Sequence, residues 1–411
     1  MLAELVFVTR LLGLMSSTHD IHVQVDPSVQ AVEIMLDGKR AYLLRGAPWR
    51  AKIDFGPEIA PHELIAVAYD AQGVEIARDI QYVNLPRSHA EIGVMFKRNL
   101  ADITWQHIAD LEPRKMKVTL NGKVLASKVT SSVALPPLPP SDLHVLSVDL
   151  EFKDGAHVHR DIVFGGFSEE VPAELTATIV RQRDAGRTDQ TACFQRGPRA
   201  IPASAVEKGE AAILFVRAGT PPAELRSPVV IRGMAETPFV IPDASLRFVW
   251  PLASGKGTTE LFSRSDHLPG IRGVRWTISR LSGPLTQQPR FADAVAVAGT
   301  EALREPRRRA VVLILAGEED SSRYEPAVVR RYLERIGVPL HVWTAKPRKT
   351  DPRWGQTHDI SNARKLAAAV EALRQDLDRQ RVAWLPVTAY DALHVATAPD
   401  CAWEPLARHS P

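Results

Sequence analysis

The sequence is poor in cysteine and in net charge. Its two cysteines, Cys193 and Cys401, lie far apart and form neither a metal-ligand spacing nor a redox pair. Whether they form a disulfide bond with each other stays open at the level of sequence. The net charge of +3 is small for 411 residues. The one tight basic run, residues 307–309, directly precedes an apolar strand, which favours a solvated loop over a nucleic-acid-binding patch. No nucleic-acid partner is expected.

No apolar run is long enough to cross a bilayer. Residues 2–15 are mostly apolar but are interrupted by Glu4 and Arg10, whereas a membrane helix needs about 20 apolar residues. They also lack the basic start and the small-residue cleavage site of a secretory signal. Residues 1–17 are therefore expected to be the remnant of a signal that starts upstream, or else a first strand or short helix packed on the next domain. An upstream signal would favour a periplasmic or secreted protein.

A catalytic motif is also missing. No Gly-x-Ser-x-Gly turn is present to expose a nucleophile. Ser265, Asp266 and His267 have the residue types of a hydrolase triad, but as neighbours in the sequence they point in different directions. Residues 255–259 resemble a phosphate-binding loop without its upstream glycine or its following helix, so a flexible loop is expected there.

The sequence does contain a strand-helix-strand unit in residues 310–345. Residues 310–315 are an unbroken apolar run, which is typical of a parallel strand buried on both faces. Pro326 suits the first position of the following helix, and Gly337 suits its left-handed end. Residues 339–344 then resume as a strand. This order predicts a right-handed crossover between two parallel strands.

Further strands and helices alternate around this unit. The strands are predicted at residues 174–181, 211–216, 246–250 and 382–385, and the helices at 290–303 and 361–379. The alternation from residue 211 onward predicts a doubly wound, Rossmann-like α/β domain with a mainly parallel sheet. Its predicted bounds are residues 172–400, with a tail at 401–411.

The N-terminal part differs, because its predicted strands are short and separated by Gly and Pro turns. Residues 32–39 match residues 116–123, and residues 64–69 match 144–150, which gives a repeat of about 80 residues. This length is near that of one small β-sandwich. Two tandem all-β sandwiches are therefore predicted, at residues 18–87 and 88–168. The first resembles the immunoglobulin-like modules of bacterial surface and secreted proteins, through a strand that ends Val-Ala-Tyr-Asp-Ala-x-Gly.

The α/β part resembles a von Willebrand factor type A domain, and more narrowly the VWFA-related proteins of some bacteria. The resemblance lies in residues 212–216 as a first strand, 291–295 in a helix, 310–322 as a strand with its following loop, and 337–343 as a Gly-Val-Pro turn into a strand. Such domains usually hold Mg²⁺ through an Asp-x-Ser-x-Ser run after the first strand and an Asp after the fourth. The resemblance therefore implies a site of hard oxygen ligands at these two positions.

The residues at those two positions do not suit Mg²⁺. The first strand runs into Arg217, followed by Ala-Gly-Thr-Pro, and Ala316 stands where the later Asp is expected. A cationic side chain repels a divalent ion, so the sequence predicts a degenerate metal site and no cofactor. Residues 318–320 are acidic, and they are expected to favour the positive end of the next helix rather than to bind a metal. His157 and His159 are expected at a solvated strand edge, since no third ligand is evident.

These observations predict a non-catalytic protein–protein interaction or adhesion-type protein with an unidentified protein partner. Ligands of open parallel sheets approach the carboxyl ends of the strands, so the binding rim is predicted to include Arg217, Thr220, Glu319, Asp320 and Ser321. Arg217 is expected to bind a carboxylate of the partner through its fork of N–H donors. Two alternatives stay open: a hydrolase whose site lies between domains, and a scaffold in which the α/β domain is only a spacer.

Overall fold

A computed structural model describes most of the chain. The described residues are 5–9, 11, 13–86, 90–97, 100–107, 111–139, 144–153, 157–164, 176–183, 193–226, 241, 243–252, 265–267, 274–279, 281–304 and 306–408. Among these residues, no helix is both long enough and apolar enough to span a membrane.

Strands between residues 5 and 83 form two antiparallel sheets that share one apolar core. They are β1 (Leu5–Phe7), β2 (Thr18–Val25), β3 (Ala31–Leu36), β4 (Lys39–Leu44), β5 (Arg50–Asp54), β6 (His62–Tyr69) and β7 (Glu75–Val83). One sheet has the order β1-β2-β5 and the other the order β4-β3-β6-β7. Alternate residues point inward, such as Ile21 and Val23 of β2 and Leu64 and Ala66 of β6. The predicted β-sandwich is present, and the apolar start of the chain contributes strand β1 to it.

Strands between residues 90 and 164 form a second β-sandwich. They are β8 (Ala90–Lys97), β9 (Leu100–His107), β10 (Pro113–Leu120), β11 (Lys123–Ala126), β12 (Ser132–Ala134), β13 (His144–Phe152) and β14 (His157–Phe164). The two sheets have the orders β11-β10-β13-β14 and β12-β9-β8. Side chains from both sheets, such as Ile103 of β9, Val118 of β10 and Val148 of β13, form a separate apolar core. The second predicted sandwich is therefore also present.

The predicted repeat extends to the turns of the two sandwiches. Asp37 and Gly38 join β3 to β4, and Asn121 and Gly122 join β10 to β11; all four have positive φ, between 49° and 78°. Two consecutive left-handed residues are typical of a tight hairpin turn, which Asn-Gly and Asp-Gly favour. The side-chain oxygen of Asp37 accepts the N–H of the second residue of β6 (3.0 Å), and that of Asn121 accepts the N–H of the second residue of β13 (2.8 Å).

The remaining elements belong to the C-terminal part of the chain. They are β15 (Thr176–Gln182), β16 (Phe194–Arg196), β17 (Arg199–Ile201), β18 (Ala205–Glu207), β19 (Ala211–Arg217), α1 (Ala223–Arg226), β20 (Ala244–Val249), β21 (Ser265–His267), α2 (Val274–Ser279), α3 (Phe291–Ala302), β22 (Arg308–Leu315), α4 (Pro326–Arg335), β23 (Leu340–Thr344), two 3₁₀ turns (Pro347–Lys349 and Pro352–Trp354), β24 (Thr357–Asp359), α5 (Ala363–Asp378), β25 (Gln380–Leu385), α6 (Ala389–Leu393), β26 (Ala396–Thr397) and β27 (Trp403–Pro405).

A parallel sheet lies at the centre of this part. Its parallel strands have the order β20-β19-β22-β23-β24, and β21 pairs antiparallel with β20 at one edge. Successive side chains of β19 point to opposite faces: Leu214 packs in a core with α3 and α4, and Ile213 and Phe215 pack in a core with α5. Helices therefore cover both faces, as the alternation of strands and helices predicts.

The strand-helix-strand unit predicted for residues 310–345 is confirmed. Strand β22 is buried along its whole length, and β23 runs parallel to it. Pro326 is the first residue of α4. Gly337 follows the helix with φ of 65°, the left-handed conformation in which a side chain would be strained.

Two of the predicted strands form but belong to a different sheet. Strands β15 and β25 pair antiparallel with each other, in the order β18-β25-β15-β27, and a small sheet β17-β16-β26 lies beside them. The expectation that residues 382–385 complete the parallel sheet is therefore wrong. Part of the predicted tail also joins this sheet, because β27 pairs with β15. A local apolar pattern predicts a strand but not the strand with which it pairs. Here β25, which follows α5, pairs with β15 rather than with a strand of the parallel sheet.

The two cysteines meet in this antiparallel part. Cys193 and Cys401 form a disulfide bond, with their Cα atoms 5.7 Å apart, a usual separation for bonded cysteines. The chain between them contains the whole parallel sheet, so the bond joins the two segments that flank it.

The first sandwich packs directly on helix α4 and the loop before it. The hydroxyl of Tyr332 donates to the backbone carbonyl of Asn84 (2.8 Å), and that of Tyr324 donates to the carbonyl of Leu14 (3.1 Å). Two arginines of α4 also form salt bridges with Glu58. The ring of each tyrosine adds apolar area to this contact. Its hydroxyl forms a directional hydrogen bond across the contact.

Candidate functional site

The candidate site is the edge of the parallel sheet at which the strands end. Strands β19 and β22 are neighbours there, and the chain continues from β19 to one side of the sheet and from β22 to the other. The loops after two such strands diverge and leave a crevice, in which ligands of open α/β sheets bind. Four of the five predicted rim residues lie in these two loops.

Arg217 is the last residue of β19, and its side chain is buried, with 1% exposed. Its guanidinium donates hydrogen bonds to the backbone carbonyls of the next two residues (2.5 and 3.2 Å) and to that of Leu281. Its central carbon lies 5.2 Å from the ring centre of Phe248 and 5.3 Å from that of Trp250. A cation over aromatic faces at this distance is favourable, the more so where water is excluded.

The prediction that Arg217 belongs to an exposed rim is therefore wrong. Two aromatic rings and the carbonyl of Leu281, all distant in sequence, help to enclose the guanidinium. The local sequence around Arg217 does not predict these contacts. Burial lowers the pKa of Arg217 to about 10, so the group is still charged at neutral pH. It joins the loop after β19 to the loop at Leu281 and places a fixed positive charge beneath the edge of the sheet.

The other predicted rim residues are exposed. Thr220 lies in the loop after β19, and Glu319, Asp320 and Ser321 lie in the loop after β22. The structure thus brings these four residues to the edge where the sequence placed them, while Arg217 lies below them.

Asp320 has a structural role at the start of α3. Its carboxylate oxygens accept the backbone N–H groups of Phe291 (2.9 Å) and Ala292 (3.2 Å). The hydroxyl of Ser322 accepts the N–H of Asp293 (3.1 Å). These are the unpaired donors of a helix start, which a helix normally satisfies with its own capping residue; here a loop from the next strand supplies the acceptors. The acidic residues were expected to favour the helix that follows them, α4, and this expectation is wrong for Asp320.

Asp293 completes the contact in the opposite direction. Its side chain is 1% exposed, and its carboxylate accepts backbone N–H groups of Arg323 (3.0 Å) and Tyr324 (3.2 Å). Burial raises the pKa of Asp293, and these backbone hydrogen bonds only partly oppose the effect. A carboxyl group whose pKa is higher in the folded protein than in the unfolded chain reduces stability as the pH rises through that interval.

The capping contact leads to a first prediction. Replacing Asp320 by alanine removes acceptors from two helix N–H groups and is expected to reduce the free energy of unfolding by about 1–2 kcal/mol. The adjacent variant Glu319→Ala serves as the control and should change it by less than about 0.5 kcal/mol. Urea titration of the three proteins measures both values, and equal effects of the two substitutions would contradict the capping role.

A basic side of the same edge was missed by the sequence interpretation. Residues 346–349 follow β23, and Lys346, Arg348 and Lys349 are exposed. A Cβ atom on Gly317 would lie 3.2 Å from Cδ of Lys349 and 3.5 Å from Cδ of Lys346, so both lysines pack beside the acidic loop. The run Lys-Pro-Arg-Lys directly after a predicted parallel strand was the available signal.

The edge does not fit a divalent cation. Mg²⁺ needs several oxygen ligands in near-octahedral geometry, whereas the first strand ends in a buried guanidinium and the fourth is followed by Ala316. Within the described ranges, no group of three or more His, Cys, Asp or Glu side chains is arranged to hold a metal ion.

Several other candidates lie outside the described part of the structure. Residues 255–259 are not described, and neither are the side chains of Ser265, Asp266 and His267. The same holds for the side chains of the histidine pair at positions 157 and 159, although the backbone there forms β14.

Comparisons with known proteins found similar solved structures only. No protein-family model and no curated protein matches the chain. Similar solved structures include the fibronectin(III)-like modules of Clostridium thermocellum CbhA, with 15% identity over 40% of this chain and 94% of that chain and a TM-score of 0.17. The central fibronectin-III array of RIM-binding protein has 12% identity over 49% and 78%, with a TM-score of 0.21. TM-scores this low carry no structural argument, so the two sandwiches rest on the strand pairing described above.

Proposed function

We propose that the protein is a non-catalytic protein-binding protein, in which two immunoglobulin-like sandwiches carry a von Willebrand type A-like domain without a metal. The strand order supports the domain assignment. Numbered along the chain from β19, the six strands of the sheet are arranged 3-2-1-4-5-6, with strand 3 antiparallel. This is a common order of doubly wound α/β sheets, which bind ligands at the carboxyl ends of their strands.

The main support for a binding function without a metal is the buried guanidinium of Arg217. In a metal-dependent domain, the cation beneath this edge grips a carboxylate of the partner. Here the positive charge belongs to a side chain whose donors are directed to backbone carbonyls, so partner binding falls to the exposed residues above it. Thr220, Glu319 and Ser321 on one side and Lys349 on the other offer hydrogen bonds and charges of both signs. Such a surface suits a protein partner with a complementary polar patch.

The alternative of a hydrolase at a domain junction gains less support. The cleft between the first sandwich and the C-terminal part is lined by apolar residues together with Arg309 and two threonines. Hydrolysis needs a nucleophile together with an acid or a base, and the described lining of this cleft has no carboxylate, imidazole or thiol. This observation favours the binding function.

We also propose that the protein works outside the cytoplasm. The support is the bond between Cys193 and Cys401, because structural disulfides persist mainly in oxidising compartments.

Capture of partners from an extract of the native organism tests the binding function. Capture by the wild-type protein should be equal with and without a chelator, because the proposed surface uses no divalent cation. The triple variant Thr220→Arg, Glu319→Lys, Ser321→Arg should bind the captured partner at least about tenfold more weakly, a change of about 1.4 kcal/mol in binding free energy.

The matched control is Glu210→Lys, which reverses one charge at the opposite edge of the same sheet, where Glu210 is 66% exposed. It should leave capture unchanged. Chelator-sensitive capture would show that a metal takes part, and equal capture by the triple variant would show that this edge is not the binding surface.

A further inference from the structure

Three arginines are buried in the described α/β part, and in one of them neither terminal nitrogen has a partner among the described residues. Arg217 donates to three carbonyls, as described above. Arg308 donates to the carbonyls of Gly209 (3.1 Å) and Leu377 (3.0 Å) and lies 3.8 Å from a carboxylate oxygen of Asp378. Arg309 is 6% exposed, yet its guanidinium makes one hydrogen bond to the described residues, from Nε to a carbonyl at 3.3 Å, and no ion pair with them. Its two terminal nitrogens therefore have donors to spare.

Arg309 lines a cavity of about 80 Å³ at the junction of several parts of the chain. Thr178 lines the same cavity; it is 5% exposed, and its hydroxyl has no hydrogen-bond partner among the described residues. Apart from Thr176, the rest of the described lining is apolar, and it includes Leu85, Ile336 and Leu393. The cavity therefore combines a buried cation, a buried hydroxyl and an apolar wall.

We propose that this cavity binds a small monocarboxylate, with the carboxylate on Arg309 and Thr178 and a short alkyl group against the apolar wall. The planar guanidinium matches a carboxylate through two parallel N–H donors. A neutral ligand would leave the buried charge without a counter-charge, which is unfavourable in a medium of low polarity. The hydroxyl of Thr178 supplies a further donor.

The volume of the cavity suits a short alkyl group. One water molecule needs about 10–15 Å³ of cavity volume. A cavity of about 80 Å³ therefore holds several waters or one organic anion of a few carbon atoms. Propionate and butyrate are therefore suitable probes. Acetate fills less of the apolar wall than either of them.

The position of the cavity gives ligand binding a structural consequence. Its lining comes from the end of the first sandwich (Leu85), from β15 (Thr178), from β22 (Arg309), from the residue after α4 (Ile336) and from α6 (Leu393). A ligand that contacts all of these parts stabilises their association, because it binds the assembled form and not the separated parts. The melting temperature should therefore rise with ligand concentration.

Isothermal titration calorimetry with propionate on the full chain tests the proposal. The wild-type protein should bind one equivalent, and the neutral isostere propionamide should bind at least about tenfold more weakly, since a charge-assisted hydrogen bond is the stronger kind. The variant Thr178→Val should bind propionate about tenfold more weakly. Without ligand it should be at least as stable as the wild-type protein, because it loses a hydroxyl that has no partner among the described residues. Arg309→Lys should also weaken binding, since a lysine lacks the planar fork.

Two results would overturn the proposal. One is the absence of saturable binding of both propionate and butyrate to a wild-type protein that is shown to be folded. The other is binding that Thr178→Val leaves unchanged. Sulfate or phosphate bound as tightly as propionate would overturn the assignment to a carboxylate and indicate an inorganic anion instead.

Discussion

Replacement of Arg217 by alanine is expected to reduce the free energy of unfolding of the α/β part by about 3–5 kcal/mol. A buried acceptor left without its donor costs about 1–3 kcal/mol, and surface substitutions usually change stability by less than about 0.5 kcal/mol. The substitution leaves three backbone carbonyls without their donor and leaves a void between the rings of Phe248 and Trp250. Both effects act in the same direction.

Arg217→Lys separates these contributions, because lysine keeps the positive charge but not the planar fork of donors. Its expected loss is smaller, about 2–3 kcal/mol, since one ammonium group cannot reach all three carbonyls. Urea unfolding followed by tryptophan fluorescence measures the loss, and hydrogen exchange in β19 and β20 locates it. If Arg217→Ala reduced the free energy of unfolding by less than about 0.5 kcal/mol, Arg217 would be an exposed residue of the rim.

Removal of the disulfide has the second large expected effect. The double variant Cys193→Ala, Cys401→Ala should reduce the free energy of unfolding by about 2–5 kcal/mol. The bond closes a loop whose ends are 208 residues apart in the sequence, and a long closed loop restricts the unfolded chain strongly. Cys401 is also fully buried, so this end of the loop is held in a packed core.

A reducing agent provides the matched control. It should lower the unfolding midpoint of the wild-type protein towards that of the double variant, while the double variant should not respond. Equal unfolding curves of the oxidised and reduced wild-type protein, or two alkylatable thiols in protein purified without reductant, would contradict a stabilising bond.

Much of the fold could be predicted from local patterns. The apolar run in β22, the proline that starts α4 and the glycine that ends it each act within a few residues of themselves. The repeat of the sandwiches is equally local, because Asp-Gly and Asn-Gly favour the same tight turn wherever they join two strands. Periodicity and turn chemistry are therefore sufficient to place most of these strands and helices.

The candidate site was predicted less completely. The exposed positions of Thr220, Glu319 and Ser321 follow from their place after parallel strands. The burial of Arg217 does not, because its aromatic neighbours lie on and beside another strand. Asp320 likewise precedes α4 in sequence but caps α3, whose first residue comes 29 positions earlier.

Neighbouring residues are enough to predict most of the strands, helices and tight turns of this chain. Packing of the whole chain is needed to pair β25 with β15, to bond the two cysteines, and to place Arg309 and Thr178 around one cavity. The physical reason is that side chains far apart in the chain become neighbours only when whole sheets and helices pack, and the free energy of each such contact depends on every element that encloses it.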